Sequence, residues 1–327
     1  MPPTRSCMIR RRTRISISCY DLVMKNTSKL SVMIAAVFCL GLVVQSFAQD
    51  QPSGLADAKE FSDRVRAITS SSDSKGRLAA VTKLLDDLEV PFRVEDFKLD
   101  DADGKNLVVD LVKGPSNKIL LGAHFDQVKV GQGAIDNASS CAVLVEMIER
   151  FKAKPLKNYS LEVVFFDLEE AGLIGSKAYA DKLGKDAAPK HFINVDIFGY
   201  GDTLWLMSAE NKEAAVQKAF AQAGKAADFP VVTSDAKEYP PGDHLSLMKA
   251  GVSTLAVALI DKSEIEPIKS LLAGKRVAPP PILRTIHTPD DNVAKIDSKE
   301  CSIALPVIEA AIRSLDENST PNTKPER

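Results

Sequence analysis

Residues 161–170 read LEVVFFDLEE, a nearly unbroken apolar run from Leu161 to Phe166 that ends in Asp167, Leu168 and the pair Glu169-Glu170. Successive side chains of a strand point to opposite faces, so a run this apolar belongs to a sheet covered on both sides. That requirement selects a layered α/β architecture. The acids at the end of the run carry the second message. Adjacent carboxylates at a strand end repel each other unless a cation neutralises them.

The pattern recurs on either side. Lys118 to Leu121 leads into Gly122-Ala123-His124-Phe125-Asp126, and Phe192 to Ile197 contains Asn194-Val195-Asp196. Further strands are expected at Phe92 to Leu99, Leu107 to Val112 and Thr254 to Ile260. Helical apolar spacing marks 56–69, 74–89, 142–151, 175–183, 210–224 and 302–315. Strands alternating with helices predict a mixed, mainly parallel sheet in an α/β layered domain.

Chemistry-bearing residues gather where strands end. In extended chain, residues two apart face the same way, so His124 and Asp126 share a side, with Asp126 placed to hold the imidazole in one tautomer. Asp136 sits in Gly133-Ala134-Ile135-Asp136-Asn137-Ala138-Ser139, a turn with small neighbours that runs into a helix. His287 follows Ile286 in IHTPDD. Carboxylate and imidazole without thiolate suit zinc and similar divalent ions. A catalytic zinc takes three protein ligands and a water, so His124, Asp136, Glu170, Asp196 and His287 are too many for one ion. One bridging carboxylate with two ligands for each ion fits a two-metal site, and a spare carboxylate beside it can take a proton from water. Of the other histidines, His191 reads as a plain loop residue and His244 lies near these motifs. Trp205, the only tryptophan, reads as sheet packing. Tyr200 and Tyr239 are candidates for touching substrate, with packing the simpler role for each.

Composition bounds the rest. The chain has 327 residues, 45% apolar and 26% charged, with a formal net charge of -2, so no basic field points to nucleic acid. Basic residues including Arg10, Arg11, Arg12, Arg14, Lys25 and Lys29 precede an apolar run, Val32 to Val44, followed by Ser46-Phe47-Ala48. The run is too short for a comfortable span. The arrangement is that of a secretory signal peptide over 1–48, cleaved after Ala48, with 1–23 an upstream extension before Met24. Secretion or periplasmic residence follows, with no stable membrane insertion after cleavage. Residues 49–315 are expected to form one catalytic domain, and the polar segment 316–327 a disordered tail. Only Cys141 and Cys301 remain after cleavage, able to form one disulfide or to stay as buried thiols.

Taken in order, GAHFD, GAIDNAS, FFDLEEAGLIGS, NVD and IHTPDDN resemble the zinc aminopeptidases of metallopeptidase family 28, across roughly residues 105–300. The resemblance implies a three-layer fold with a central mixed sheet between helices. It implies two zinc ions: one on His124 and Asp196, one on Glu170 and His287, with Asp136 bridging. Glu169 would be the general base, Asp126 would orient His124, and a peptide or aminoacyl compound would be the substrate. Asp243-His244 is similar to the family's Ser-Asp-His segment, with Gly242 where the serine would stand. Two alternatives remain: single-zinc glutaminyl cyclases, which share much of the motif order, and noncatalytic binding domains on the same fold, which usually lose ligands or the base. The cyclases typically carry tryptophans after the Glu pair and before the last histidine, where this chain has Leu173 to Ser176 and Ile286. Oligomeric state and side-chain preference are not legible.

Overall fold

The computed structural model describes residues 56–99, 101–112, 117–184, 188–208 and 214–319. The expected signal segment and the end of the polar tail lie outside the described residues. All described residues fall in one compact unit, Pro52–Arg327.

Among the described residues two helices come first, α1 (Ala58–Ile68) and α2 (Ser74–Asp87), each begun by an aspartate that accepts backbone N–H groups of its first turn. The strands are β1 (Arg93–Leu99), β2 (Ala102–Val112), β3 (Lys118–His124), β4 (Ser160–Phe166), β5 (His191–Phe198), β6 (Thr203–Ser208), β7 (Val231–Asp235) and β8 (Ser253–Ile260). Between and after them run α3 (Ser139–Ala153), α4 (Ile174–Lys182), α5 (Ala215–Ala226), α6 (His244–Lys249), α7 (Lys262–Leu272), α8 (Pro281–Thr285) and α9 (Ser298–Glu317). The sheet order is β1-β2-β4-β3-β5-β8-β6-β7. Its centre, β4-β3-β5-β8, is parallel, as is β6-β7, and the remaining pairs are antiparallel.

The period-two rule sorts the apolar run of β4 onto both faces. Val163 and Phe165 pack with Leu121, Ile193 and residues of α1, α2, α3 and α9. Val164 and Phe166 pack with Leu120, Phe192 and, from α4 and α6, Tyr179 and Leu247. Helices thus cover both sides of the sheet, giving the three layers expected. A third apolar cluster, with Trp205, Ala258, Ile260, Ile268 and Ile282, lies beside β6 and β8 under α7 and α8.

Several expectations need correction. His191 is not in a loop; it opens β5, is buried, and sits 5.9 Å from the Tyr159 ring, centroid to centroid. Of the two forms left open for Cys141 and Cys301, the structure holds buried free thiols, directed at the carbonyls of His124 and Phe198. The expected tail does not start at 316: α9 continues through Glu317, because Asp316 accepts the backbone N–H groups of Lys157, Asn158 and Tyr159 at 2.7–2.8 Å. The fifth helix starts at Ala215, with 209–213 outside the described residues. Strands β6 and β7 and helices α6, α7 and α8 had no counterpart in the expected elements.

Candidate active site

The parallel strands β3, β4 and β5 end on one edge of the sheet, the edge where α/β proteins place ligands. His124 is the last residue of β3 and pairs with Phe166, the last of β4, so the Glu pair emerges beside the imidazole. The ladder between β5 and β8 loses register between Val195 and Phe198. That irregularity frees Asp196 from regular pairing, and Ile197 takes φ +65°. Asp136 lies in the turn before α3, in a cis peptide with Asn137. His287 follows α8 with φ +59°.

Five residues from five segments meet there. Donor atoms of His124, Asp136 and Asp196 lie within 4.8 Å of one another, as do those of Asp136, Glu170 and His287. Asp136 belongs to both groups and divides its oxygens between them. Oδ1 is 3.2 Å from His124 Nε2, and Oδ2 is 3.1 Å from His287 Nε2. Asp196 Oδ1 is 3.6 Å from His124 Nε2, and Glu170 Oε2 is 3.2 Å from His287 Nε2. Glu169 is in neither group; its Oε2 stands 4.0 Å from His124 Nε2 at the same cavity. Asp126 Oδ1 is 3.3 Å from His124 Nδ1, on the far side of the ring. Asp167 is not at the cluster: it is buried and accepts the backbone N–H groups of Lys105 and Leu168.

The electrostatics are those of a cation site. Burial disfavours charge on His124, but Glu169, Asp126, Asp136 and Asp196 outweigh it and hold the imidazolium pKa well above its usual value. Hydrogen bonds to Asp136 and Glu170 raise that of His287 to about 10. Burial raises Asp136, yet the two histidines draw it below the ordinary carboxylate range. Glu169 is pushed up to about 9, first by burial and then, against the pull of His124, by Asp196, Asp243 and Asp136. Buried Glu170 Oε1 has no hydrogen-bond donor. An orphaned carboxylate oxygen is costly unless a cation faces it. Two imidazoles and three carboxylates, one of them shared, fit a pair of zinc-like ions.

A cavity of about 290 Å³ opens from this cluster. The metal-ligand candidates and Glu169 line one side. The other side is apolar, with Trp205 and Tyr239 in tilted contact at 4.4 Å and Ala258, Ile260, Ile268 and Ile282 around them. Trp205 therefore combines sheet packing with lining the cavity. Tyr239 lines it too. Tyr200 does not; its hydroxyl donates to Glu264 Oε1 at 2.8 Å, and Glu264 Oε2 accepts the N–H of Ile282, which steadies α8. Asp243 and His244 are buried behind the cluster. At Gly242, a Cβ would stand 2.9 Å from Asp196 Oδ2, so the missing side chain lets the backbone close on that carboxylate.

Two positioning residues escaped the sequence reading. Asp291 accepts the N–H of Ile135 at 2.7 Å and of Asp136 at 3.3 Å, fixing the turn that carries the shared carboxylate. Its position one residue after Asp290, in the motif itself, was the available signal. Arg77, in α2, is fully buried beneath the site; nothing around it in the sequence marks it.

An α/β sheet carrying a cluster of two histidines and three carboxylates at its parallel edge has the architecture of a metallohydrolase. The sequence model of peptidase family M28 matches residues 106–311, and the chain belongs to that family. It is 35% identical over 97 residues to an aminopeptidase of Pseudomonas aeruginosa, covering 29% of this chain and 18% of that protein. The chain spans less than half the length of the curated relatives it matches. In fold it is similar to BSAP, a zinc aminopeptidase from Bacillus subtilis (TM-score 0.54, 22% identity, 65% of this chain and 50% of that one). It is also similar to an Acidobacteriales bacterium glutaminyl cyclase (TM-score 0.67, 20% identity, 84% and 99%).

Proposed function

We propose that this chain is a two-zinc aminopeptidase that removes apolar residues from the N-termini of peptides. The observation that carries the reading is Asp136, whose two oxygens face two different histidines, each with a further carboxylate of its own. His124 and Asp196 would hold one ion and Glu170 and His287 the other, with Asp136 shared. Such a pair would supply Lewis-acid activation of water and of the substrate carbonyl. Glu169 lines the cavity outside both ligand groups. It takes the proton of the attacking water and returns it to the leaving amine. Asp126 orients His124. The apolar wall of Trp205, Tyr239, Ala258 and Ile260 receives the side chain of the residue to be released. Exclusion of water there favours apolar side chains over charged ones.

The test combines metal content with products. A two-zinc peptidase binds two zinc ions per chain and releases free amino acid from leucyl or phenylalanyl peptides. One zinc ion and cyclisation of an N-terminal glutamine would replace the reading with the cyclase. Tight zinc binding with neither reaction would leave a noncatalytic binding domain. We propose further that the protein is exported and cleaved after Ala48. The support is the basic, apolar and small-residue order of 1–48. N-terminal sequencing of the mature protein checks it, and a start upstream of Val32 would refute it.

A further inference from the structure

Helix α2 precedes the segment matched by the family model, residues 106–311, yet it sends Arg77 under the metal-ligand cluster. The side chain is fully buried. Among the described residues its guanidinium makes no hydrogen bond to a carboxylate, and both Nη atoms donate to backbone carbonyls. Nη1 donates to Phe125 O at 3.0 Å and to Asp126 O at 3.4 Å. Nη2 donates to Gln132 O and to Gly133 O, the latter at 3.0 Å. These four carbonyls belong to two separate segments. One immediately follows His124. The other leads into the turn that carries Asp136. A single planar fork therefore ties together the two ends of the one connection between β3 and the turn before α3, beside His124 and Asp136 of the first ligand group.

The glycine beside it supports this reading. A Cβ at Gly133 would stand 2.8 Å from Arg77 Nη2 and 2.7 Å from Asp136 O, and Gly133 has φ +52°. The absent side chain is what lets the guanidinium reach this turn. The turn is held from its other side as well, because Asp291 accepts the N–H groups of Ile135 and Asp136. The cation takes the carbonyls of the segment and the anion takes its N–H groups. Buried charge without an ion-pair partner is expensive, and well-placed peptide dipoles offset part of that cost. The acidic field of Asp126, Asp291 and Asp136 offsets a further part, although burial still holds the guanidinium pKa below its usual value.

We propose that Arg77 is a positioning residue of the metal centre, setting the separation between His124 and Asp136 by pinning both ends of the connection that joins them. It touches neither metal nor substrate. The idea rests on the two-zinc reading above. Lysine keeps the charge but has no planar fork to reach both ends of that connection, whereas methionine keeps the length and loses the charge.

The test compares wild type, Arg77→Lys and Arg77→Met for fold, zinc and turnover. Fold is followed by circular dichroism and thermal unfolding. Zinc affinity is measured by competition with a chromophoric chelator, and ligand geometry by the visible spectrum of the cobalt-substituted protein. Both variants are expected to fold, to bind zinc about 10- to 100-fold more weakly, the range for groups that hold metal ligands in place, and to shift the cobalt bands. Turnover should fall in kcat with KM little changed. Folded variants with wild-type zinc affinity and cobalt spectrum would overturn the proposal and leave Arg77 a stability residue. Full rescue by lysine would overturn it in favour of charge alone. If neither variant folds, Arg77 is a folding residue and the proposal fails. Wild type that takes up no zinc would instead refute the metal reading itself.

Discussion

Asp126 accepts the backbone N–H of Glu169 on Oδ1 at 3.0 Å, the same oxygen that stands 3.3 Å from His124 Nδ1. Oδ2 accepts the N–H of Glu170 at 3.2 Å. One buried carboxylate thus ties the histidine at the end of β3 to both glutamates that follow β4. Orienting the imidazole is half of its geometry; placing the Glu pair is the other half. Asp126→Asn keeps the size but offers one acceptor oxygen for these donors. It should fold and bind zinc about 10- to 100-fold more weakly. Chelator competition measures this, and unchanged affinity would show that the contact is incidental.

The metal-free cluster stores protons that binding must expel. Carboxylates raise the pKa of His124 and His287, the latter to about 10, so His287 is charged at neutral pH and His124 is drawn toward its charged form. Ligation requires neutral imidazole. Zinc uptake at pH 7 should therefore release protons, and apparent affinity should fall as pH falls. Calorimetric titration in two buffers of different ionisation enthalpy reads the number released. A heat independent of buffer would contradict the prediction.

The apolar wall makes a claim about selectivity. Ala258 is the small residue among Trp205, Ile260 and Ile268. Ala258→Leu should fill the space opposite the cluster and lower kcat/KM for phenylalanyl or leucyl substrates at least about 10-fold relative to alanyl ones, in line with the 1–3 kcal/mol cost of one misfitting group. Equal losses on all substrates would place the released side chain elsewhere.

The central strands and five ligand candidates were legible because both depend on local pattern. β4 is apolar on both faces and ends in acids; β3 and β5 end in His124 and Asp196. The elements that escaped are short or interrupted. β6 has six residues and β7 five, α8 has five, and α7 contains Pro267. The cavity wall draws on Trp205, Tyr239, Ala258 and Ile282, which no periodicity connects. Arg77 acts on carbonyl oxygens, which every residue has, so its partners leave no trace in residue identity.

The end of the domain offers a stability test. Asp316 was assigned by composition to a polar tail, yet it is 4% exposed and holds three consecutive N–H groups at the entrance to β4. Asp316→Ala would leave those donors without their acceptor. Orphaned buried donors cost about 1–3 kcal/mol each, less where water reaches them, so a total loss of about 2–4 kcal/mol is expected. Denaturant unfolding should show a lower midpoint at unchanged slope. No loss of stability would mean that water replaces the carboxylate.

The assignment of Glu169 is the most exposed part of the mechanism. Glu169 and Glu170 are adjacent, and both lose their N–H to Asp126, yet their side chains diverge. Glu170 Oε2 lies 3.2 Å from His287 Nε2, within a ligand group. Glu169 Oε2 lies 4.0 Å from His124 Nε2, outside both groups and facing the cavity. Removing the charge of a proton acceptor should leave the metals in place and slow turnover; removing a ligand should release metal. Glu169→Gln is therefore expected to keep its fold and near-normal zinc content while losing about 10²- to 10⁴-fold in kcat. Glu170→Gln is expected to weaken zinc binding at the His287 site first. Zinc stoichiometry beside turnover, measured on both variants, separates the roles. Metal loss in Glu169→Gln with retention in Glu170→Gln would reverse them. Full activity in Glu169→Gln would show that the water surrenders its proton to another group, and the buried carboxyl of Asp243 behind the cluster would be the next to substitute.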